Sequence, residues 1–567
     1  MNWKKIILAG IFTIVLAATV SAATPTISIE ELQPGMKGYA KTVIKGADIE
    51  TFDVEILGVT GSDTGGHSIL IKASGPVLER SGGIAQGMSG SPVYINGRLA
   101  GAVAYGREFS DPNYCFLTPI EEMLKLFDEP TPRPSVFLPK NTPLMVSGFT
   151  SDGLEYLKEK LAPLHLTAYA VPTGSGDFSQ IQLEPGSSIG VELAKGDINV
   201  GSIGTVTYKD DDGRILAFGH PFLQRGSSDY FMTNAWIFAS VPNMQSAFKV
   251  GALGNTLGSI KQDRSSGIAG KIGDMPKIIP MFVSATDKTR GEHKTSRVQL
   301  ITDEDLVPAL VDSICYNTVS KTSDRKGGGT SRISFDITAR GDKQGEIHLR
   351  RENMFYHNSD IGKATDAELL YACNMLMKNR FEKVTIFDIN VDVETTSNSE
   401  VAEIVSAKLL HRSVKQGGIL PIEVTFKPYR SEKITRTFNF KVPDKQKVGL
   451  MNLVVRSGNS TDWLKSALMQ QQAAGHSVVL EQKKLDFKDF LDDFNTADCN
   501  NTIVVDIMPS MPRRHKVADN ASLEKDTMGL EAVNFRKVLK GSKDKQTYVL
   551  DFIATGEMNL VAEVEAR

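Results

Sequence analysis

From residue 27 to residue 127 the chain runs as short β-rich stretches cut by glycine, at 52–59, 68–72, 91–95 and 99–105. This is the texture of antiparallel β structure. Asn96-Gly97 separates the last two stretches. A tight type I′ turn needs two residues that tolerate positive φ, so this pair predicts a hairpin. Residues 119–127 read as a short closing helix, and the proline-rich 130–143 as a linker. After a helix at 151–161, a second glycine-dense β block spans 180–283. It includes Gly204-Thr205-Val206-Thr207-Tyr208, a turn at 209–213, and Arg214-Ile215-Leu216-Ala217-Phe218-Gly219-His220. Two such blocks of about 100 residues each suit a pair of small barrels.

Beyond residue 290 the pattern changes. Helices are expected at 304–318 and 365–379, the second opened by a capping box of Thr365 and Glu368. Residues 383–442 alternate as the strands of a β-sandwich, and 461–567 mix helices with a final strand pair.

With 567 residues, 41% hydrophobic and 23% charged, the chain has the composition of a soluble globular protein of three or four domains. Its 64 basic and 67 acidic side chains leave a net charge of -3, which favours neither nucleic acid nor an anionic membrane as partner. Lys4-Lys5, an apolar run over 6–20 and the small-residue site Val20-Ser21-Ala22 read as a signal peptide at 1–22, with an uncleaved anchor as the alternative. No other stretch approaches the roughly 20 apolar residues of a membrane-spanning helix, so no integral membrane domain is expected in the mature chain. The expected location is periplasmic or extracellular. Cys115, Cys315, Cys373 and Cys499 lie far apart without metal-ligand spacing. They indicate buried or incidental thiols, not a zinc site or a disulfide framework.

The chemistry concentrates in Gly82-Gly83-Ile84-Ala85-Gln86-Gly87-Met88-Ser89-Gly90-Ser91-Pro92-Val93. Glycine at 87 lets the backbone turn so that its N–H and that of Ser89 converge on one spot, where the oxyanion of a tetrahedral intermediate would sit. Gly90 leaves room for a substrate chain, and Pro92 opens a strand that pins the turn. A serine hydroxyl needs a neighbouring base. His220 has the setting for it, at the end of the apolar strand Ile215-Leu216-Ala217-Phe218. His67, the nearest rival by sequence, sits in a Gly-Gly turn, and the remaining histidines read as surface or core residues.

Gly-x-Ser-Gly-x-Pro followed by the hairpin resembles the nucleophile region of trypsin-like peptidases. The segment from Gly82 to Val103 is similar, more narrowly, to the SpoIVB-type serine peptidase family, whose base lies in a strand like Leu216-Ala217-Phe218-Gly219-His220. The resemblance implies a mainly β fold: a trypsin-like double β-barrel, then a C-terminal α+β region with a β-sandwich. Because Ser89 precedes His220, the two barrel halves would stand in permuted order, which a catalytic constellation tolerates. The expected organisation is a serine-bearing half at 24–128, a linker at 129–150, a histidine-bearing half at 151–290, an α+β segment at 291–382, a sandwich at 383–445 and an α+β domain at 446–567.

The family's acid precedes its serine motif, but Ile71-Lys72-Ala73-Ser74-Gly75-Pro76 holds no carboxylate. Asp263 is the candidate to orient His220, and Asp229 the alternative. Met88 stands where digestive relatives carry an aspartate that pairs with a freed N-terminus, so that activation route is closed. The expected activity is an exported serine endopeptidase acting on a protein or peptide, needing no metal or cofactor, with an envelope partner held by the C-terminal domains. The alternative is a catalytically silent two-barrel scaffold of the cell envelope.

Overall fold

The computed structural model describes residues 24–62, 66–106, 110–128, 143–172, 178–243, 247–458, 486–508 and 544–567. The expected signal peptide and residues 129–142 of the linker lie outside the described residues. The described chain divides into two compact units, one built from residues up to 142 with 174–191 and 202–275, the other from 143–173, 192–201 and 276 onward.

In the first unit β1 (Lys37–Thr42), β2 (Glu50–Ser62), β3 (Gly66–Ser74), β4 (Pro92–Ile95), β5 (Arg98–Tyr105) and β6 (Tyr114–Pro119) close into a barrel in the order β1-β2-β3-β6-β5-β4. Closure leaves no unpaired edge. Side-chain alternation turns Val54, Ile56, Ile69, Ile71, Val93 and Ile95 into one core, and each fully buried aliphatic contributes about 1.5–3 kcal/mol. Asn96 and Gly97 both take positive φ, at 49° and 74°, and join β4 to β5 as a tight hairpin.

The second β block also returns on itself. Strands Ser188–Gly196, Gly226–Val241, Phe248–Arg264, Gly267–Ile272, Arg214–Ala217 and Asn199–Lys209 neighbour one another in that order, and the last pairs back to the first. The fold is therefore mainly β, with a closed barrel followed by a second curled ring of strands. Residues 151–173 and 276–290 belong to the second unit. Part of the linker, Leu144–Ser147, is a strand.

The second unit carries a sheet in which Gly345–His357, Gly329–Gly341, Val384–Thr396, Ile279–Asp287 and Glu292–Leu300 are successive neighbours. Helix Val307–Ser323 is buried along most of its length and bonds this sheet through Thr318 Oγ1 and Ser296 Oγ at 2.8 Å. Strand Val384–Thr396 thus belongs to this sheet, pairing with Ile279–Asp287 and Gly329–Gly341. The sandwich packs a four-stranded sheet (Ile434–Lys441, Ile419–Pro428, Val401–Leu409, Ile553–Thr555) and a five-stranded one that includes Gly449–Ser457, Thr502–Ile507 and Glu557–Glu565. They share a core of Leu420, Phe426, Leu453 and Val505.

The capping box at Thr365 does not form. Thr365 Oγ1 donates to the Ile361 carbonyl and lies 2.9 Å from Ser331 Oγ, from which it can accept, and Glu368 instead receives a two-point bond from Arg351. A buried guanidinium demands a carboxylate more strongly than an exposed helix end does. The helix accordingly breaks into Gly362–Thr365 and Ala367–Met377. The four cysteines are free thiols, three of them buried. Among the described residues no helix is long and apolar enough to cross a membrane.

Candidate active site

The turn around Ser89 alternates between bonded and open backbone donors. Gln86 N–H donates to Ala247 O, Met88 N–H to Ala85 O and Gly90 N–H to Val103 O. Among the described residues the intervening N–H groups of Gly87 and Ser89 have no acceptor. Gly87 and Gly90 hold φ of 91° and 93°, which a side chain would resist. Met88 is fully buried in the barrel core and anchors the turn from within.

His220 arrives through a strained corner. Strand Arg214–Ala217 ends at Phe218, a bulky residue at φ 69°, followed by Gly219 at φ 67°. Such a conformation costs of order 1–3 kcal/mol and persists only where its surroundings enforce it. Here Phe218 N–H donates to Thr205 O at 3.3 Å, and its ring lies so close over Gly204 that a β-carbon there would collide with it. Thr118 Oγ1 ties down the Gly219 carbonyl. A β-carbon on Gly90 would overlap the Thr205 carbonyl oxygen and meet Phe218 N at 2.5 Å. The residue after Ser89 therefore packs directly on the corner that delivers His220.

The imidazole is buried, with 6% exposure. Its Nδ1 lies 2.8 Å from the carbonyl oxygen of Pro221. A carbonyl only accepts, so Nδ1 carries the proton and Nε2 is the basic nitrogen. Burial depresses the pKa of His220 below the usual histidine value, opposed by the bond to Pro221. Ser89 is half-buried, and its Oγ makes no hydrogen bond among the described residues. No hydrogen bond joins Ser89 Oγ to the His220 ring.

Asp263 is fully buried on strand Phe248–Arg264. Its carboxylate accepts the N–H groups of Phe222 and Leu223 at 2.7 Å each and that of Arg225 at 3.4 Å. Burial pushes its pKa up, and these amides oppose the rise. One peptide unit consequently links the two residues: the Pro221 carbonyl accepts from His220, and the Phe222 N–H of the same peptide donates to Asp263. Asp229 lies elsewhere in that sheet, in an ion pair with Lys261 at 2.6 Å. His67 opens β3 opposite Gly61, in the wall of the first barrel.

Sequence reasoning missed two residues of this site. Thr205 N–H donates to Ser89 O at 2.8 Å, and its Oγ1 donates to Gly87 O at 3.0 Å. Lys249 is fully buried beside Gly87, with its Nζ 3.1 Å from Thr42 Oγ1. A threonine in a strand and a lysine near a strand start carry no sequence signal that separates them from ordinary sheet residues.

The model of the SpoIVB peptidase S55 family matches residues 7–124, a stretch that holds Ser89 and ends before His220. Comparison with curated proteins and with solved structures yields no match.

Proposed function

We propose that this chain is an exported serine endopeptidase in which the serine half and the histidine half stand in permuted order. The observation that carries the reading is the pair of open amides at Gly87 and Ser89 on a turn packed against the corner that delivers His220. Preorganised donors of this kind are the largest single contribution to acyl transfer in comparable sites. The likeness of residues 7–124 to a serine peptidase family supports it independently.

Ser89 Oγ attacks the scissile carbonyl and gives its proton to Nε2 of His220, while the new oxyanion binds the two amides. His220 returns the proton to the leaving amine, and water then hydrolyses the acyl-enzyme by the same route. Asp263 acts through the 221–222 peptide, holding the carbonyl that fixes the imidazole tautomer. The substrate is a protein of the envelope or the secreted space, or the chain itself.

The test is labelling of the mature chain by a fluorophosphonate probe. Labelling is expected in the wild type and lost in Ser89→Ala and His220→Ala. A folded wild type that stays unlabelled refutes the reading and leaves the silent scaffold.

A further inference from the structure

Lys249 is fully buried, and no carboxylate among the described residues contacts it. Its amine faces the hydroxyls of Thr42, from β1, and of Thr205, from strand Asn199–Lys209. Its methylenes face Gly87. None of these elements turns a titratable side chain toward it, and burial alone pulls its pKa down, to about 7. An uncompensated buried amine is costly, and an apolar side chain would avoid that cost. The position calls for an account.

Both peptide groups flanking Gly87 are tied to this residue. Lys249 N–H donates to Gln86 O at 2.9 Å. Because a trans peptide points its two polar groups in opposite directions, this bond turns the Gly87 N–H away from the strand and toward the open site. On the other side, Lys249 Nζ lies 3.5 Å from Thr205 Oγ1, which in turn donates to Gly87 O at 3.0 Å. A β-carbon on Gly87 would fall 3.0 Å from Lys249 Cδ and 3.1 Å from its Cβ, so the side chain forms the floor beneath the turn.

We propose that Lys249 is a positioning residue for the oxyanion-binding turn, holding the peptides on either side of Gly87, its ammonium orienting the Thr205 hydroxyl that donates to Gly87 O. The inference rests on the peptidase reading above. Charge in a water-poor site acts far more strongly than in solvent. The ammonium is the useful form, so its contribution is present below about pH 7 and is lost as pH rises through that value. His220 works in the opposite sense, since it must be neutral to accept a proton.

The experiment measures the rate of fluorophosphonate labelling of the full mature chain against pH, for wild type, Lys249→Met and Thr205→Val. The wild-type rate is expected to rise through the depressed pKa of His220 and to fall above about pH 7. Lys249→Met should label about tenfold to a hundredfold more slowly, less than the loss expected for deleting an oxyanion donor outright, and its alkaline fall should disappear. Thr205→Val keeps the lysine while cutting the tie to Gly87 O; it should slow labelling and lose the alkaline fall, because the ammonium reaches the turn through this hydroxyl. If Lys249→Met does not fold, Thr205→Val decides the matter by the same criterion. A wild-type rate in the variants, with the alkaline limb intact, overturns the role of Lys249 while the peptidase reading stands. A wild type that no probe labels overturns both.

Discussion

Replacing Lys249 by methionine should make the protein more stable in mild acid and leave it nearly unchanged at high pH. The lysine pKa falls from 10.5 to about 7 on burial. At about 1.4 kcal/mol per tenfold, the charged form costs the fold roughly 5 kcal/mol. The sign follows from proton counts: between the two values the unfolded chain binds a proton that the folded chain has released, so stability rises with pH from about 7 toward 10.5. Below pH 7 both states are charged and the whole penalty applies. Linkage gives about 5 kcal/mol at pH 6 and about 1.5 kcal/mol at pH 9.5. Methionine removes this penalty but forfeits the contacts to the two threonine hydroxyls, roughly 1 kcal/mol. The expected gain is 3–4 kcal/mol at pH 6 (roughly, from the same linkage) and close to zero at pH 9.5. Urea unfolding with pulsed deuterium labelling, read on peptides from 226–264, measures it where Lys249 sits. A gain that does not change with pH, or a loss at pH 6, would show that the amine is not buried as an uncompensated charge.

Further expectations concern the site itself. Gly90→Ala should abolish probe labelling in a chain that still folds, because its methyl would occupy the space of the Thr205 carbonyl oxygen and force the serine turn off the histidine corner. Asp263→Asn should slow labelling by about tenfold or more by weakening the peptide that fixes His220, whereas Asp229→Asn weakens a part-buried pair with Lys261 and should change the rate by less than about twofold; equal effects would refute the peptide relay. The acid limb of the labelling profile should lie below the usual histidine range, since burial favours the neutral ring. A limb at or above the usual value would contradict the buried environment of His220.

What the sequence disclosed was local. The Asn96-Gly97 hairpin, the helix at Ser151–Leu161 and the glycine turn at Gly87 each follow from backbone preferences within a few residues, and the structure has all three. The capping box at Thr365 and Glu368 was equally local in form and failed, because Arg351, on the preceding strand, claims the glutamate. Strand Val384–Thr396 shows what alternation leaves open: it records that one face is buried, not which sheet buries it. At the site, the residue types Ser, Gly and His were legible by their chemistry. The acceptor on His220 was not, for it is a main-chain carbonyl, and main-chain groups leave no letter in a sequence.

That carbonyl bears on the rate the proposed enzyme can reach. A carboxylate at Nδ1 both fixes the tautomer and stabilises the imidazolium that forms as Ser89 attacks. A peptide carbonyl fixes the tautomer equally well but offers a dipole in place of a full charge, so the imidazolium is less stabilised and the ring is a weaker base. Asp263 recovers part of the difference, because a hydrogen bond from the 221–222 peptide to a carboxylate polarises the carbonyl on its other side. The burial of His220 acts in the same direction as the missing charge, lowering its pKa. A base weakened twice and an oxyanion turn already ordered by Met88 describe a slow, constitutively assembled site. Such a site suits a few cleavages of a chosen chain better than the turnover of many.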